Sequence, residues 1–243
     1  MKKIKTLLLF ALAACTTAVL ANPDVVKAEL LKKYPEVKAD KVTKAGYSDL
    51  YEIYSNGEII YTDEKVTFLL LGTLVDASTR ANVSDARLQK LSAITFNELP
   101  FEHAIKLVRG KGTRRMAIFE DPNCGYCKKF EQDINALEDV TAYIFAYPIL
   151  AQDSVDKSKQ IWCSPDRLKA WQDQMLRQKA PTAAATCNNP IDKIVALGQK
   201  LHISGTPMTY FEDGERVSGA MDRARIEARL ASAKSAPLVE AKK

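Results

Sequence analysis

The sequence predicts a two-domain protein of mixed helices and strands: a small N-terminal α+β unit, a helical linker and a larger C-terminal α/β domain. Three observations support this fold class. A helical pattern and a hairpin pattern follow each other near the N-terminus, a strand–helix–strand order occupies the middle of the chain, and further helical patterns precede two closing strands. The length of 243 residues allows one or two domains, and an apolar content of 47% is normal for a packed core.

The first 21 residues have the pattern of a secretory signal. Three lysines precede an uncharged apolar run, Thr6 to Ala14, which is too short to span a bilayer. Val19-Leu20-Ala21 predicts cleavage after Ala21. Export places the protein in an oxidising compartment, where disulfides persist.

The signal contains a second pattern, because Leu12-Ala13-Ala14-Cys15 resembles the lipobox of bacterial lipoproteins. In a lipoprotein, Cys15 would carry the lipid and become the first residue. We favour an incidental stretch of small residues that is removed with the signal, and lipidation stays the alternative.

The net charge argues against nucleic acid as a partner. The formal charge of +5 falls to +2 when residues 1–21 are removed, because they contain three lysines and no acidic residue. So small a charge gives no electrostatic basis for binding nucleic acid. No later apolar run approaches the length of about 18 residues that a transmembrane helix needs.

Residues 22–80 are predicted to form the N-terminal unit. Apolar residues at helical spacing from Val25 to Tyr34 predict a short helix that ends at Pro35. Asn56-Gly57, between apolar strands, predicts a type I′ hairpin turn. The β-rich run from Val66 to Leu71 predicts another strand. Because so short a unit buries little surface alone, we expect it to need a partner chain.

Residues 81–110 are predicted to be a helical linker. Ser84 is the expected N-cap of its first helix, whose apolar side includes Leu88 and Leu91. A second helical stretch is predicted from Phe101 to Val108.

Residues 111–235 are predicted to form the C-terminal domain, and residues 236–243 a frayed tail. A strand at Met116–Phe119, a helix at Cys124–Leu137 and a strand at Val140–Tyr147 make a βαβ unit with a right-handed crossover. The later elements are two helical stretches, two strands and a final helix, at about Val155–Lys179, Pro190–Leu201, Met208–Phe211, Arg216–Val217 and Asp222–Ala233.

The motif Cys124-Gly125-Tyr126-Cys127 lies at the predicted junction of a strand and a helix. Unpaired N–H groups and the helix dipole stabilise a thiolate there, so Cys124 is the candidate nucleophile. Cys127, one turn further on the same face, is the candidate resolving thiol. Lys128 and Lys129 add positive charge nearby, although lysines on a helix are usually just solvated.

Other roles for this pair fit the sequence less well. A structural disulfide seldom opens a helix inside a βαβ unit. Zinc would need two more ligands, and 23 residues separate Cys163 from Cys187, where zinc modules normally supply a second close pair. Haem attachment needs a histidine at the position of Lys128. We therefore predict no metal and no attached haem at this pair.

A second local signal is Gly205-Thr206-Pro207, directly before an apolar strand. A proline there cannot donate to the sheet, and its peptide bond can be held cis by the surrounding structure. Together with Cys124–Cys127, Thr206 and Pro207 resemble the thioredoxin fold, whose cis-proline loop packs against the active-site cysteines and binds substrate backbone.

The chain as a whole resembles the periplasmic disulfide isomerases of the DsbC and DsbG family. The matching motifs occur in family order and include Gly57 to Asp63, Ile161-Trp162-Cys163, Ala196-Leu197-Gly198 and Gly205-Thr206-Pro207. Gly125-Tyr126 fits the DsbC branch better than DsbG. The resemblance implies an N-terminal dimerisation domain and a C-terminal thioredoxin-like catalytic domain with a helical insertion.

The resemblance also implies a function: a homodimeric, periplasmic thiol-disulfide isomerase without a bound cofactor. Its clients would be unfolded or misoxidised exported proteins, its electron donor a membrane-embedded reductase of the DsbD type, and chaperone activity would accompany isomerisation. Val66–Leu71 is the candidate dimer interface, with burial in the monomer core as the alternative. A thiol-disulfide oxidase or reductase and a non-enzymatic holdase stay as alternative functions.

One position departs from other thioredoxin-like proteins. Thioredoxins and the DsbA oxidases carry a buried acid six residues before the first cysteine, where this chain has Ile118. The departure weakens the oxidase and reductase alternatives and leaves the acceptor of the Cys127 proton open. Glu120 and Asp121 are the nearest acids, although both also fit a solvated turn.

The remaining cysteines are expected to be structural. In an oxidising compartment we expect Cys163 and Cys187 to form a disulfide rather than stay as free thiols. The resemblance agrees, because DsbC proteins have a second, structural disulfide. We expect His103 and His202 to be surface or packing residues. Trp162 and Trp171 lie in helical patterns and are expected in the core.

Overall fold

The structure, a computed structural model, describes residues 22–235 and divides them into two compact units. The predicted signal and the predicted tail lie outside the described residues. The first unit contains residues 22–55 and 60–71, and the second contains residues 56–59 and 72–235. Within this part of the chain, no helix combines the length and the apolar character that crossing a bilayer requires.

The first sheet has four strands in the order β1-β2-β3-β4, with one helix before it. Their bounds are α1 Pro23–Lys33, β1 Lys41–Lys44, β2 Tyr51–Ser55, β3 Glu58–Thr62 and β4 Leu70–Leu71. The predicted helix begins at Pro23, two residues before the apolar pattern, because the Asn22 side chain caps it by accepting a hydrogen bond from the N–H of Asp24 (3.0 Å). The predicted hairpin is confirmed, since Asn56 and Gly57 both have positive φ, 49° and 86°.

A small apolar core holds the first unit together. Val26 and Leu30 of α1 are fully buried and pack in one cluster with Tyr51 and Ile53 of β2 and with Val66. Burial of each aliphatic side chain contributes about 1.5 to 3 kcal/mol. So few buried residues agree with the expectation that this unit is only weakly stable alone.

The predicted strand from Val66 to Leu71 is only partly correct. Strand β4 contains Leu70 and Leu71 alone, paired with β3. Val66 is buried with φ of 51°, where the Lys33 ammonium donates hydrogen bonds to the carbonyls of Lys65 (2.7 Å) and Val66 (2.8 Å). The run therefore divides between a buried turn and an exposed apolar edge.

The segment predicted as a linker differs from the prediction in the N-cap of its first helix and in its second element. Helix α2 spans Val83–Leu91, and its N-cap is Asn82, whose side chain accepts from the N–H of Asp85 (2.9 Å). The predicted cap Ser84 instead accepts a hydrogen bond from the N–H of Leu74 (2.7 Å).

The helix predicted from Phe101 to Val108 is wrong. A short 3₁₀ turn at Phe101–His103 follows another at Phe96–Glu98, and strand β5 spans Ile105–Arg109. Ile105 and Leu107 are buried while Lys106 and Val108 are exposed, which is the period-two pattern of a sheet edge covered on one face.

The second sheet has five strands in the order β5-β7-β6-β8-β9. Its other four strands, and the helix that joins β6 to β7, are β6 Arg114–Glu120, α3 Gly125–Asn135, β7 Val140–Ala146, β8 Met208–Phe211 and β9 Arg216–Ser218. Strand β6 is parallel to β7 and antiparallel to β8, which confirms the predicted βαβ unit. From Met116 to Phe119 it is fully buried because neighbouring strands flank it and helices cover it.

Three helices form the insertion between β7 and β8, namely α4 Gln152–Cys163, α5 Arg167–Arg177 and α6 Ile191–Lys200. Helix α7, Arg223–Ser235, follows β9 and is the last described element. The predicted stretch from Val155 to Lys179 is two helices because Pro165 interrupts it. A disulfide joins Cys163 to Cys187 with an S–S length of 2.03 Å. Both tryptophans are buried, as predicted.

Gly198 lets α6 approach the end of β7. A Cβ at this position would lie 2.3 Å from the ring of Tyr147, whose hydroxyl donates to the carbonyl of Ile203 (3.0 Å). This contact gives a physical reason for a glycine in the Ala196-Leu197-Gly198 motif.

Loss of the disulfide is expected to destabilise the second unit. The double variant Cys163→Ser/Cys187→Ser frees a 24-residue loop in the unfolded chain, which lowers the free energy of unfolding by roughly 3 to 4 kcal/mol in the chain-entropy model. The melting temperature should fall by about 6 to 15 °C. Calorimetry of the wild type with and without a reductant is the control, and an unchanged melting temperature in the variant would rule out a structural role.

Candidate active site

Cys124 is the N-cap of α3, at the end of a tight turn after the central strand. Its backbone is extended (φ −69°, ψ 119°), and its carbonyl accepts from the N–H of Lys128 (3.1 Å), which starts the helix. Its Sγ accepts a hydrogen bond from the N–H of Cys127 (3.4 Å). The sulfur therefore occupies the capping position where the first N–H groups of a helix stabilise negative charge.

The loop before β8 brings Thr206 and Pro207 to the same sulfur. The Thr206-Pro207 peptide bond is cis, and the carbonyl oxygen of Thr206 lies 3.4 Å from Cys124 Sγ, within reach of its thiol proton. The antiparallel pairing of β8 with β6 places this loop beside the start of α3. The N–H of Gly219 donates to the carbonyl of Pro207 (2.9 Å) and anchors the loop to the sheet.

Asp121 fixes the turn that presents Cys124. Its carboxylate accepts hydrogen bonds from the N–H of Asn123 (2.8 Å), the N–H of Ile149 (2.9 Å), the N–H of Leu150 (3.0 Å) and Ser154 Oγ (2.7 Å). Asp121 is fully buried, so its interpretation as a solvated turn residue is wrong. These four hydrogen bonds tie the turn to the segment before α4 and to the first turn of that helix.

Cys127 lies in the core behind Cys124. Its side chain is fully buried, on the same face of α3 as Phe130 and Ile134. Burial first, and then the neighbouring Glu120 carboxyl group, raise the pKa of the Cys127 thiol. Cys127 is thus held as a thiol at neutral pH, while Cys124 Sγ lies at the helix start beside the cis-proline loop.

Two more buried carboxyl groups lie close to Cys127. Glu120, the last residue of β6, is fully buried, so the solvated-turn interpretation is wrong for it too. Glu131, on the buried face of α3, was not a candidate from sequence reasoning. Its signal in the sequence was a charged residue among the apolar positions of α3, one turn after Cys127. Burial first, and then the charge of Glu131, raise the pKa of Glu120 well above its ordinary range.

The other candidates lie away from the two thiols or contribute surface. The Cys163–Cys187 disulfide begins at the C-terminal end of α4, about 14 Å along the helix from Ser154. Tyr126 and Leu150 flank the reactive turn with large exposed apolar surface, 73% and 57%. His103 and His202 are half-buried. Among the described residues, no group of His, Cys, Asp and Glu is arranged to hold a metal ion.

Comparison with known proteins gives the family of both units. Residues 101–234 match the family described as thioredoxin-like domain, and residues 17–85 match the disulfide bond isomerase protein N-terminal domain. The probable thiol:disulfide interchange protein DsbC of Bordetella pertussis is 44% identical over 208 residues, which cover 85% of this chain and 74% of that protein. The chain belongs to the DsbC family.

More distant DsbC relatives agree over most of the length. The thiol:disulfide interchange protein DsbC of Escherichia coli is 27% identical over 220 residues, 88% of this chain and 90% of that protein. A crystal structure of a disulfide interchange protein from Neisseria gonorrhoeae superposes with a TM-score of 0.55 at 36% identity, covering 57% of this chain and all of that one. The predicted fold class, an N-terminal α+β domain with a thioredoxin-like domain, is confirmed.

The two active-site thiols of this DsbC-family protein are expected to differ sharply in reactivity. At neutral pH iodoacetamide should modify Cys124 and leave Cys127 unmodified, because only a thiolate is alkylated and burial holds Cys127 protonated. Tandem mass spectrometry of the tryptic peptide that contains both cysteines distinguishes the sites. Unfolding in guanidinium before labelling is the control and should make both react; equal labelling of the folded protein would contradict the assignment.

Proposed function

We propose that this protein is a periplasmic thiol-disulfide isomerase that rearranges non-native disulfides in exported proteins. The observation that carries the proposal is the geometry of the dithiol. Cys124 Sγ caps α3 beside the cis-proline loop, and the second thiol is buried directly behind it. Membership of the DsbC family supports isomerisation over the oxidase, reductase and holdase alternatives.

The reaction begins with the Cys124 thiolate. It attacks one sulfur of a non-native disulfide, so that a mixed disulfide forms and one substrate thiolate leaves. A different thiolate of the same substrate then attacks the mixed disulfide, forms the corrected disulfide and releases Cys124. Thr206 and Pro207 hold the substrate backbone during both exchanges.

Cys127 resolves mixed disulfides that fail to rearrange. It attacks Cys124 Sγ, which reduces the substrate and leaves the enzyme with a Cys124–Cys127 disulfide. Because burial raises the pKa of Cys127, its thiolate is scarce and this escape reaction is slow. A slow escape leaves the mixed disulfide time to be rearranged by the substrate itself.

Each time Cys127 releases a substrate, the enzyme is left oxidised, so it needs a source of electrons before it can act again. We propose that a membrane-embedded reductase of the DsbD type returns the Cys124–Cys127 disulfide to the dithiol, and that both partners meet in the periplasm after residues 1–21 are removed. The exposed Tyr126 and Leu150 offer unfolded clients an apolar surface next to the thiol, which supports an accompanying chaperone activity.

We propose further that residues 22–80 form a dimerisation domain. Strand β4 lies at one edge of its sheet, and Phe68, Leu70 and Leu71 expose 43%, 45% and 72% of their surfaces there. An edge strand with unpaired backbone groups and exposed apolar side chains is suited to pairing with a second chain. The exposed half of the Val66–Leu71 run is therefore the interface, whereas buried Val66 belongs to the monomer core.

Reactivation of scrambled ribonuclease tests the isomerase function. The protein should restore ribonuclease activity when its dithiol begins reduced and should fail when that pair begins as a disulfide, because only the Cys124 thiolate can enter a substrate disulfide. Cys124→Ser should fall to the uncatalysed background. A Cys124→Ser variant that still restores ribonuclease would exclude the proposed mechanism.

An acidic residue at the exposed edge should separate the dimer. Leu71→Asp places a charge in the proposed interface and should weaken the dimer by about 100-fold or more, since a buried unpaired charge costs several kcal/mol. Sedimentation equilibrium of the full chain measures the dissociation constant. Val108→Asp, a similarly exposed apolar strand position in the second unit, is the matched control and should leave the dimer intact. Equal dimerisation of both variants would refute the interface.

A further inference from the structure

Glu120 and Glu131 form an unusual buried pair. Both side chains are fully buried, and their carboxyl groups are near enough to interact as hydrogen-bond partners. Among the described residues, no group outside the pair donates a hydrogen bond to either oxygen of the Glu120 carboxyl group or to Oε2 of Glu131. The only donor to the pair in this part of the structure is the indole N–H of Trp171, 2.6 Å from Glu131 Oε1.

Such a pair holds a proton. Two ionised carboxylates in contact, away from water, repel each other and lose their hydration, so one carboxyl group keeps its proton near neutral pH. The Trp171 N–H stabilises negative charge on Glu131 and leaves Glu120 as the protonated member. The pair therefore carries about one negative charge, held on the side of Glu131.

Glu120 is the member that acts on the thiols. Its partner Glu131 lies one turn of α3 after Cys127 on the same buried face, and the Glu120 carboxyl group affects the pKa of the Cys127 thiol. The strand neighbours at this end of β6 are Ala146 and Met208, neither of which titrates. Trp171 of α5 donates to the pair and does not titrate either. Asp121 is committed to its four donors in the turn, so it is not an alternative acceptor.

We propose that the Glu120–Glu131 pair accepts the proton of Cys127 when Cys127 attacks the mixed disulfide. The proposal rests on the proposed function, since it assigns the proton of the resolving step. It also gives the pair a chemical role that its missing donors would otherwise leave unexplained, because a buried carboxyl group without donors destabilises the fold.

The step conserves protons and electrons. The Cys127 thiol gives its proton to the pair, which then holds two protons and no charge, so one negative charge moves from the pair to the Cys127 sulfur. The thiolate attacks Cys124 Sγ, the Cys124–Cys127 bond forms, and the Cys124–substrate bond breaks. The substrate sulfur leaves as a thiolate with two electrons. Reduction of the enzyme reverses the proton transfer.

Ellman's reagent separates the two thiol reactions in the full-length reduced protein. Attack by Cys124 releases one thionitrobenzoate, and displacement by Cys127 releases a second in a unimolecular phase. Cys127→Ser identifies the second phase by abolishing it. Stopped-flow absorbance between about pH 5 and pH 9 gives the pH profile of each phase.

Glu120→Gln should slow the second phase at neutral pH by about 10- to 100-fold, the range of a lost general base. The first phase should change by less than about threefold, because Cys124 keeps the N–H groups of α3. Glu120→Asp keeps a carboxyl group and should recover part of the rate. Glu131→Gln removes the charged member of the pair, so Glu120 must itself ionise before it can accept a proton. Because burial still raises the pKa of Glu120, the second phase should reach half its maximum at higher pH than in the wild type. Glu212→Gln, which breaks an ion pair with Arg115, is the matched control and should leave both phases unchanged.

The outcomes separate this proposal from the proposed function. Second-phase profiles of Glu120→Gln and wild type that coincide would overturn the proton acceptor while leaving the two cysteine roles intact. A second release that persists in Cys127→Ser would instead overturn the resolving role itself. If circular dichroism shows that Glu120→Gln does not fold, the test rests on Glu131→Gln. A second-phase pH profile of Glu131→Gln that coincides with that of the wild type then overturns the proposal.

Discussion

The burial of strand β6 at the centre of the second sheet is the constraint on which the active site depends. It pairs with β7 on one side and β8 on the other, and the chain leaves the sheet at its C-terminal end to enter α3. The start of α3 and the cis-proline loop meet at that end, so Cys124 and Thr206 are brought together by sheet pairing across 82 residues of sequence. Rigid elements hold both groups, which gives the reactive sulfur a fixed environment.

Two adjacent acids are equally buried but differ in the number of hydrogen-bond donors around them. Asp121 and Glu120 are both fully buried, but Asp121 accepts hydrogen bonds from four donors whereas Glu120 has only another carboxyl group beside it. Burial without hydrogen-bond donors favours the protonated form of Glu120. One acid therefore supports the turn, and its neighbour is free to exchange a proton with Cys127.

Local patterns predicted the elements whose stability is local. The Asn56-Gly57 turn, the helix before Pro35 and the βαβ unit around Cys124 were all predicted, since turn residues and apolar periodicity act within a few positions. The helix predicted from Phe101 to Val108 is a strand because its partner, β7, comes some 35 residues later in the chain. Ser84 does not cap the helix, because its hydroxyl accepts a hydrogen bond from the N–H of Leu74 instead. Neither partner is visible to a local pattern.

The sequence by itself determined the chemistry: two cysteines at a helix start, a proline before a strand, and the motifs of a disulfide isomerase in family order. Residue type and spacing suffice for that, because a thiolate at a helix N-terminus needs only local backbone. Only the tertiary structure decided which acids are buried, which of them lacks donors, and that the Trp171 N–H donates to Glu131. Burial and hydrogen-bond satisfaction are properties of residues brought together from α3, α5 and β6, and proton affinity follows from them.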